Sequence, residues 1–170
     1  MRLHIRTYLM AERPFTQYAL QPLLLLAFRL YVGWAFFVDG SVKLQSWAAT
    51  LSVFREEYRV PLFAPELAAA LWTGIELTLP VLVAFGALTR PAALVLFAFN
   101  LLAVFSYPYL FTPAGAAGLL QHVIWGGMLL VLFVFGPGNL SCDKLCVSVI
   151  SPRETPKPQR LYQRHTRPAD

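Results

Sequence analysis

Apolar side chains come in four long runs, over residues 22–39, 67–88, 91–111 and 117–136, each bounded by proline, glycine or charge. At ~1.5 Å of rise per residue, a helix of about twenty residues crosses the ~30 Å hydrocarbon layer of a bilayer, so the pattern predicts four membrane spans. Residues 41–66 break it. There Trp47, Leu51, Phe54 and Tyr58 recur at helical spacing, while Arg55, Glu56, Glu57 and Arg59 fall off that stripe. This predicts an amphipathic helix on the membrane surface, ended by Pro61, that either caps the bundle or serves as a lid. The expected fold class is all-α: a four-transmembrane-helix bundle with an amphipathic helix in the first extracytoplasmic loop.

One polar side chain stands out in each run: Arg29, Glu76, Asn100 and His122. A charge deep in lipid costs at least ~2.5–3.5 kcal/mol unless it turns inward to a partner, so these four are expected to face one another. Arg29, Gly33, Phe36, Gly40 and Lys43 lie at alternating steps of four and three and share a helical face. Glycines on that face suit close packing against a neighbour. Asp39 with Lys43 is read as the exit from lipid. Pro80, one turn after Glu76, frees the backbone carbonyl of Glu76 and can open a polar pocket there. An Arg29–Glu76 ion pair is in reach, with His122 hydrogen-bonding the carboxylate from its other side.

Composition supports a membrane protein: 57 % of the 170 residues are hydrophobic and 14 % charged, against about 25 % charged in an ordinary soluble domain. The net charge of +5 sits mostly at the two chain ends, beside lipid, which argues against a nucleic-acid partner. Ten of the fourteen Lys and Arg residues fall on the side that holds both termini and the 89–90 turn, and three (Lys43, Arg55, Arg59) on the other. The positive-inside rule then puts both termini in the cytoplasm. Residues 1–21, with Arg2, Arg6 and Arg13 among aromatics, read as a cytoplasmic or interfacial segment. They lack the apolar core of a cleavable signal, so the first run acts as an uncleaved anchor. The membrane domain is placed at 22–145 and a basic, proline-rich, disordered tail at 146–170.

The four polar groups support two readings. In one they only satisfy each other and fix helix register. In the other a cation, a carboxylate, an amide and an imidazole bind the carbonyl head of a quinone and relay its protons, with the abundant aromatics flanking the ring. A metal centre is not expected, since His122 has no second ligand at coordinating spacing within the bundle. Cys142 and Cys146 stand at a C-x3-C spacing, and a cytoplasmic disulfide between them would not persist.

The motifs of this chain resemble those of the DoxX family of small bacterial membrane proteins. They are Arg29-Leu30-Tyr31-Val32-Gly33, Gly40-x-x-Lys43-Leu44, Glu76-Leu77 followed by Leu79-Pro80, Gly86-Ala87-Leu88-Thr89-Arg90, and Gly136-Pro137-Gly138-Asn139-Leu140-Ser141-x-Asp143. The resemblance spans residues 22–145; the C-x3-C pair and the long basic tail depart from it. It implies a four-helix inner-membrane protein. Relatives include a DoxD-type subunit linked to thiosulfate oxidation with quinone as acceptor, partners of membrane redox enzymes, and accessories in metal handling. The expectation is a non-autonomous redox subunit whose quinone-binding residues are Arg29, Glu76, Asn100 and His122. The alternatives are a scaffold for a partner enzyme and a small-solute or metal transporter. A protein partner or a homo-oligomer is expected with any of them.

Overall fold

The computed structural model describes residues 20–150 and is helical throughout, with no strand among the described residues. Six α-helices follow in order: α1 Gln21–Gln45, α2 Trp47–Glu56, α3 Pro65–Phe85, α4 Thr89–Ser106, α5 Ala116–Phe135 and α6 Cys142–Ile150. Helices α1, α3, α4 and α5 are long and apolar enough to cross a membrane. Their outward faces are apolar as well, with Phe85 65 % and Phe105 73 % exposed. Such surfaces on every span suit hydrocarbon and not water, so the chain is a multi-pass membrane protein set in a lipid bilayer.

Local chemistry explains the ends. Prolines stand in the first turns of α1 and α3, where the missing N–H has no intrahelical partner to lose. Helix α3 stops at Gly86, at φ 72°, where the N–H groups of Gly86 and Ala87 turn back to Val83 O and Leu82 O. This is the double closure that a left-handed glycine permits. Helix α3 runs unbroken through Pro80.

Each span touches two others, in the ring α1–α3–α4–α5, with the most extensive packing between α1 and α3 and between α4 and α5. Gly33 and Gly40 make the first of these possible. A Cβ on Gly40 would lie 2.9 Å from Glu76 Cβ, and one on Gly33 would lie 3.0 Å from Ala84 Cβ and from Pro80 O. Arg29, Gly33, Gly40 and Lys43 of the shared face read from the sequence thus lie along the α3-facing seam, while Phe36 turns toward α4 and α5. At the bundle centre Phe36, Trp72, Phe99 and Trp125 pack ring to ring at centroid distances of 5.1–6.5 Å.

Several boundaries differ from the sequence expectation, among them the end of α4 at Ser106, five residues short of 111. Helix α1 continues past Asp39 to Gln45, because Lys43 is drawn into the bundle and does not leave lipid there. Helix α2 ends at Glu56, short of Pro61, because Arg59 gives its N–H to Ser106 O at the end of α4 (2.7 Å). The amphipathic helix is present and caps the far end of the bundle. Phe54 enters the core, Tyr58 stacks on Phe54 and on Tyr107, and the Tyr107 hydroxyl donates to Glu57 Oε2 (2.7 Å). Burial raises the Tyr58 pKa above the usual phenol range, with the charge of Glu76 adding to the shift. Partial burial, followed by the bond to Glu57, pushes the Tyr107 pKa up to about 12. Helix α6 carries the chain as helix to Ile150, beyond the expected domain boundary at 145. The interfacial reading of residues 1–21 lies almost wholly outside the described residues, as does the disorder read for 146–170 apart from residues 146–150, which are helical.

Candidate functional site

The four polar residues singled out by the sequence do not form one cluster. They close three separate units.

Arg29 is 2 % exposed and donates to two backbone carbonyls, Pro137 O at 2.6 Å from Nη1 and Ala84 O at 3.3 Å from Nη2; its Nε has no partner among the described residues. Ala84 lies in the last turn of α3, so the guanidinium sits at the negative end of that helix. The Gly86 backbone lies against it so closely that a Cβ there would come within 2.7 Å of Nη1 and 2.6 Å of Ser141 Cβ. The knot extends through Asp143. Its N–H bonds Gly86 O, and its carboxylate accepts from Leu88 N (2.8 Å), Thr89 N (3.1 Å) and Thr89 Oγ1 (3.2 Å). That carboxylate caps α4 and holds Leu88 at φ 48°, in the left-handed region. The motifs Gly86–Arg90 and Gly136–Asp143 therefore converge on Arg29. Their shared role is to close one end of the bundle.

Glu76 is 5 % exposed and pairs with Lys43, Nζ to Oε2 2.6 Å. Neither Arg29 nor His122 reaches it. Arg29 is taken up by carbonyls where α1 begins, while Lys43, four turns on along the same face, lies opposite Glu76. The Thr50 hydroxyl donates to Lys43 O and ties α2 to the pair (2.8 Å).

Asn100 and His122 form the third unit. Asn100 Nδ2 donates to His122 O at 3.0 Å, and Asn100 Oδ1 faces His122 Nδ1 at 2.8 Å. With the amide oriented by its donor bond, Oδ1 is the acceptor, so Nδ1 carries the proton and neutral His122 presents Nε2 as an acceptor. Gly126 leaves room for this pair; a Cβ there would lie 3.3 Å from Asn100 Nδ2.

His122 also lines a cavity of about 330 Å³ between α1 and α5, with Trp34, Asp39, Gln121 and Trp125 in the wall. The His122 and Trp125 rings meet edge to face at 5.2 Å, and the indole Nε1 of Trp125 is buried without a partner among the described residues. This volume lies at the small end of ligand clefts (~300–1,000 Å³) and suits a single ring with hydrogen-bonding edges. Trp34, one of the aromatics suited by sequence to flank a ring, lines this site, and so does Asp39, which the sequence reads only as the exit from lipid. The signal that could have placed Asp39 there is its position one turn after Ala35, next to Trp34 on α1.

A bundle of four spans with buried polar pairs and a capping surface helix defines a small integral membrane protein, with no soluble domain among the described residues. The DoxX family model matches residues 24–108, half of the chain, and the chain belongs to the DoxX family. The match runs from residue 24 in α1 through α4, and α5 and the closing Gly136–Asp143 motif lie beyond it. Comparison with curated proteins and with solved structures finds no significant match.

Proposed function

We propose that this DoxX-family protein is a non-autonomous subunit of a membrane redox system and that the α1–α5 cavity takes the ring of a quinone. The observation that carries this reading is a titratable imidazole, held in one tautomer by Asn100, on the wall of a ring-sized cavity flanked by Trp34 and Trp125. In this reading His122 Nε2 meets the hydroxyl of the reduced ring, and Asp39 and Gln121 offer further polar contacts. Asn100 is the positioning residue. Arg29 and Glu76, assigned to the same site by sequence, are here bundle-closing groups, since each is consumed by its own partners. The proposed setting is a bacterial inner membrane with both termini cytoplasmic, supported by the lysine and arginine bias, and with a protein partner or a second copy completing the system.

The test is mass spectrometry of the protein extracted in native lipid discs. Quinone enriched over bulk lipid, lost in His122→Leu and kept in Glu76→Gln, is the expected result. No enrichment, or equal retention in His122→Leu, would overturn the reading and leave a scaffold for a partner enzyme as the better account. The transporter alternative has no support in a single chain, where the rings of Phe36, Trp72, Phe99 and Trp125 pack against one another at the bundle centre.

A further inference from the structure

We propose that the cavity beneath α6 binds the phosphate headgroup of one anionic phospholipid through Arg90 and Lys144. This cavity, about 470 Å³, is separate from the α1–α5 site and is lined by Arg90, Phe135, Asn139, Asp143, Lys144 and Val147. Its charges are unequal in availability. Asp143 has both oxygens committed to the first turn of α4, in three hydrogen bonds. Arg90 spends one weak bond on Val134 O (3.4 Å), and neither Arg90 nor Lys144 is in an ion pair among the described residues. Of the guanidinium's five N–H donors, most therefore stay open to an anion.

The position of Arg90 is built. Gly136, at φ 79°, lets the guanidinium lie against the backbone at the end of α5, where a Cβ would come within 3.2 Å of Nε. Arg90 is the second residue of α4, so it stands where the span leaves hydrocarbon, at the depth of phosphate headgroups. A soluble phosphate would match the cations alone, but the surroundings match a lipid. Phe135 is 59 % and Val147 60 % exposed at the cavity, and Leu145 and Val149 are bare on the outer face of α6. A helix with a basic residue beside an apolar outer face lies in the interface, and basic pockets at span ends favour anionic headgroups.

The experiment uses the full chain in mild detergent, titrated with mixtures of phosphatidylglycerol and phosphatidylcholine and read by native mass spectrometry. One phosphatidylglycerol retained per chain in preference to phosphatidylcholine is expected. Each of Arg90→Gln and Lys144→Gln should lower that preference about fivefold, and the pair about twenty-five-fold, as ~1 kcal/mol per cation implies. Arg59→Gln, at the other end of the bundle, should leave it unchanged. Lys144 is exposed and outside the knot, so Lys144→Gln tests the site even where Arg90→Gln disturbs the α5 terminus. An unchanged preference in Lys144→Gln and in the double variant overturns the proposal. So does displacement of the lipid by millimolar inorganic phosphate, which would make this a site for the free anion.

Discussion

Lys43 Nζ lies 2.6 Å from Glu76 Oε2, so the carboxylate in the middle of the second span is met by a lysine from the last turn of the first helix. The pair is mostly withdrawn from solvent, with side-chain exposures of 19 % and 7 %. Breaking such a pair strands a charge, while replacing both partners removes the problem. Lys43→Met alone should cost about 2–4 kcal/mol, and Lys43→Met with Glu76→Leu should cost clearly less than the two single changes together. Unfolding by denaturing detergent, compared around this cycle, gives the answer; additive costs would mean the two groups are not coupled.

The α1–α3 seam makes a prediction about size. Gly40→Val should force the helices apart and cost about 1–3 kcal/mol, because its first carbon already meets Glu76 and Leu77 at 2.9–3.1 Å. Gly74→Ala and Gly127→Ala, whose new methyl groups meet nothing within 4 Å, should be neutral or stabilising. Thermal melting of the three variants in one detergent separates packing from helix propensity.

Asp143 should behave as a helix cap supplied from a distant part of the chain. Asp143→Ala removes the acceptor for Leu88 N and Thr89 N and should cost about 1–2 kcal/mol. Amide exchange should speed up at residues 87–90 first, with the centre of α4 still protected. Uniform acceleration along α4 would show that the carboxylate does not act locally.

The phenol of Tyr107 should titrate near pH 12 when followed by its phenolate absorbance, against an ordinary value of ~10. A raised pKa means the folded chain holds the proton more tightly. The stabilisation is then complete below pH ~10 and lost as pH rises toward about 12. Glu57→Gln removes the charged acceptor and should move the midpoint back toward the ordinary value. A midpoint that does not move would assign the shift to burial alone.

Sidedness can be read through Cys146, which is exposed on α6. In a Cys142→Ser background and intact cells, a membrane-impermeant maleimide should label Cys146 only after the membrane is opened. Immediate labelling would reverse the proposed orientation.

The spans were legible because hydrophobic length is a local property that each stretch carries by itself. The α3-facing stripe of α1 was legible too, through the spacing of Arg29, Gly33, Gly40 and Lys43. What did not follow was the pairing. From depth alone Arg29 and Glu76 are compatible, and nothing local says that Arg29 prefers two carbonyls exposed by a glycine-ended α3 and a Gly-Pro-Gly turn. A lysine after an apolar run usually marks the membrane exit, and the sequence around Lys43 reads that way. The overriding fact, a buried carboxylate opposite it, is tertiary. Asn100 and His122 stand out singly in the sequence, but their mutual bond depends on the register of α4 against α5, which brings Gly126 against the Asn100 amide.

The knot at Arg29 also has a consequence for the order of events on the ribosome. Arg29 is synthesised 55 residues before Ala84 and 108 before Pro137, the two residues whose carbonyls receive it. At roughly 5–20 residues per second the second acceptor arrives some 5–20 s after the cation has entered the translocation machinery. During that interval the guanidinium must be solvated by headgroups or by the insertion apparatus. Until then one of its two carbonyl partners is missing, so the Arg29 end of the bundle closes only once the fourth span and the turn after it have been made.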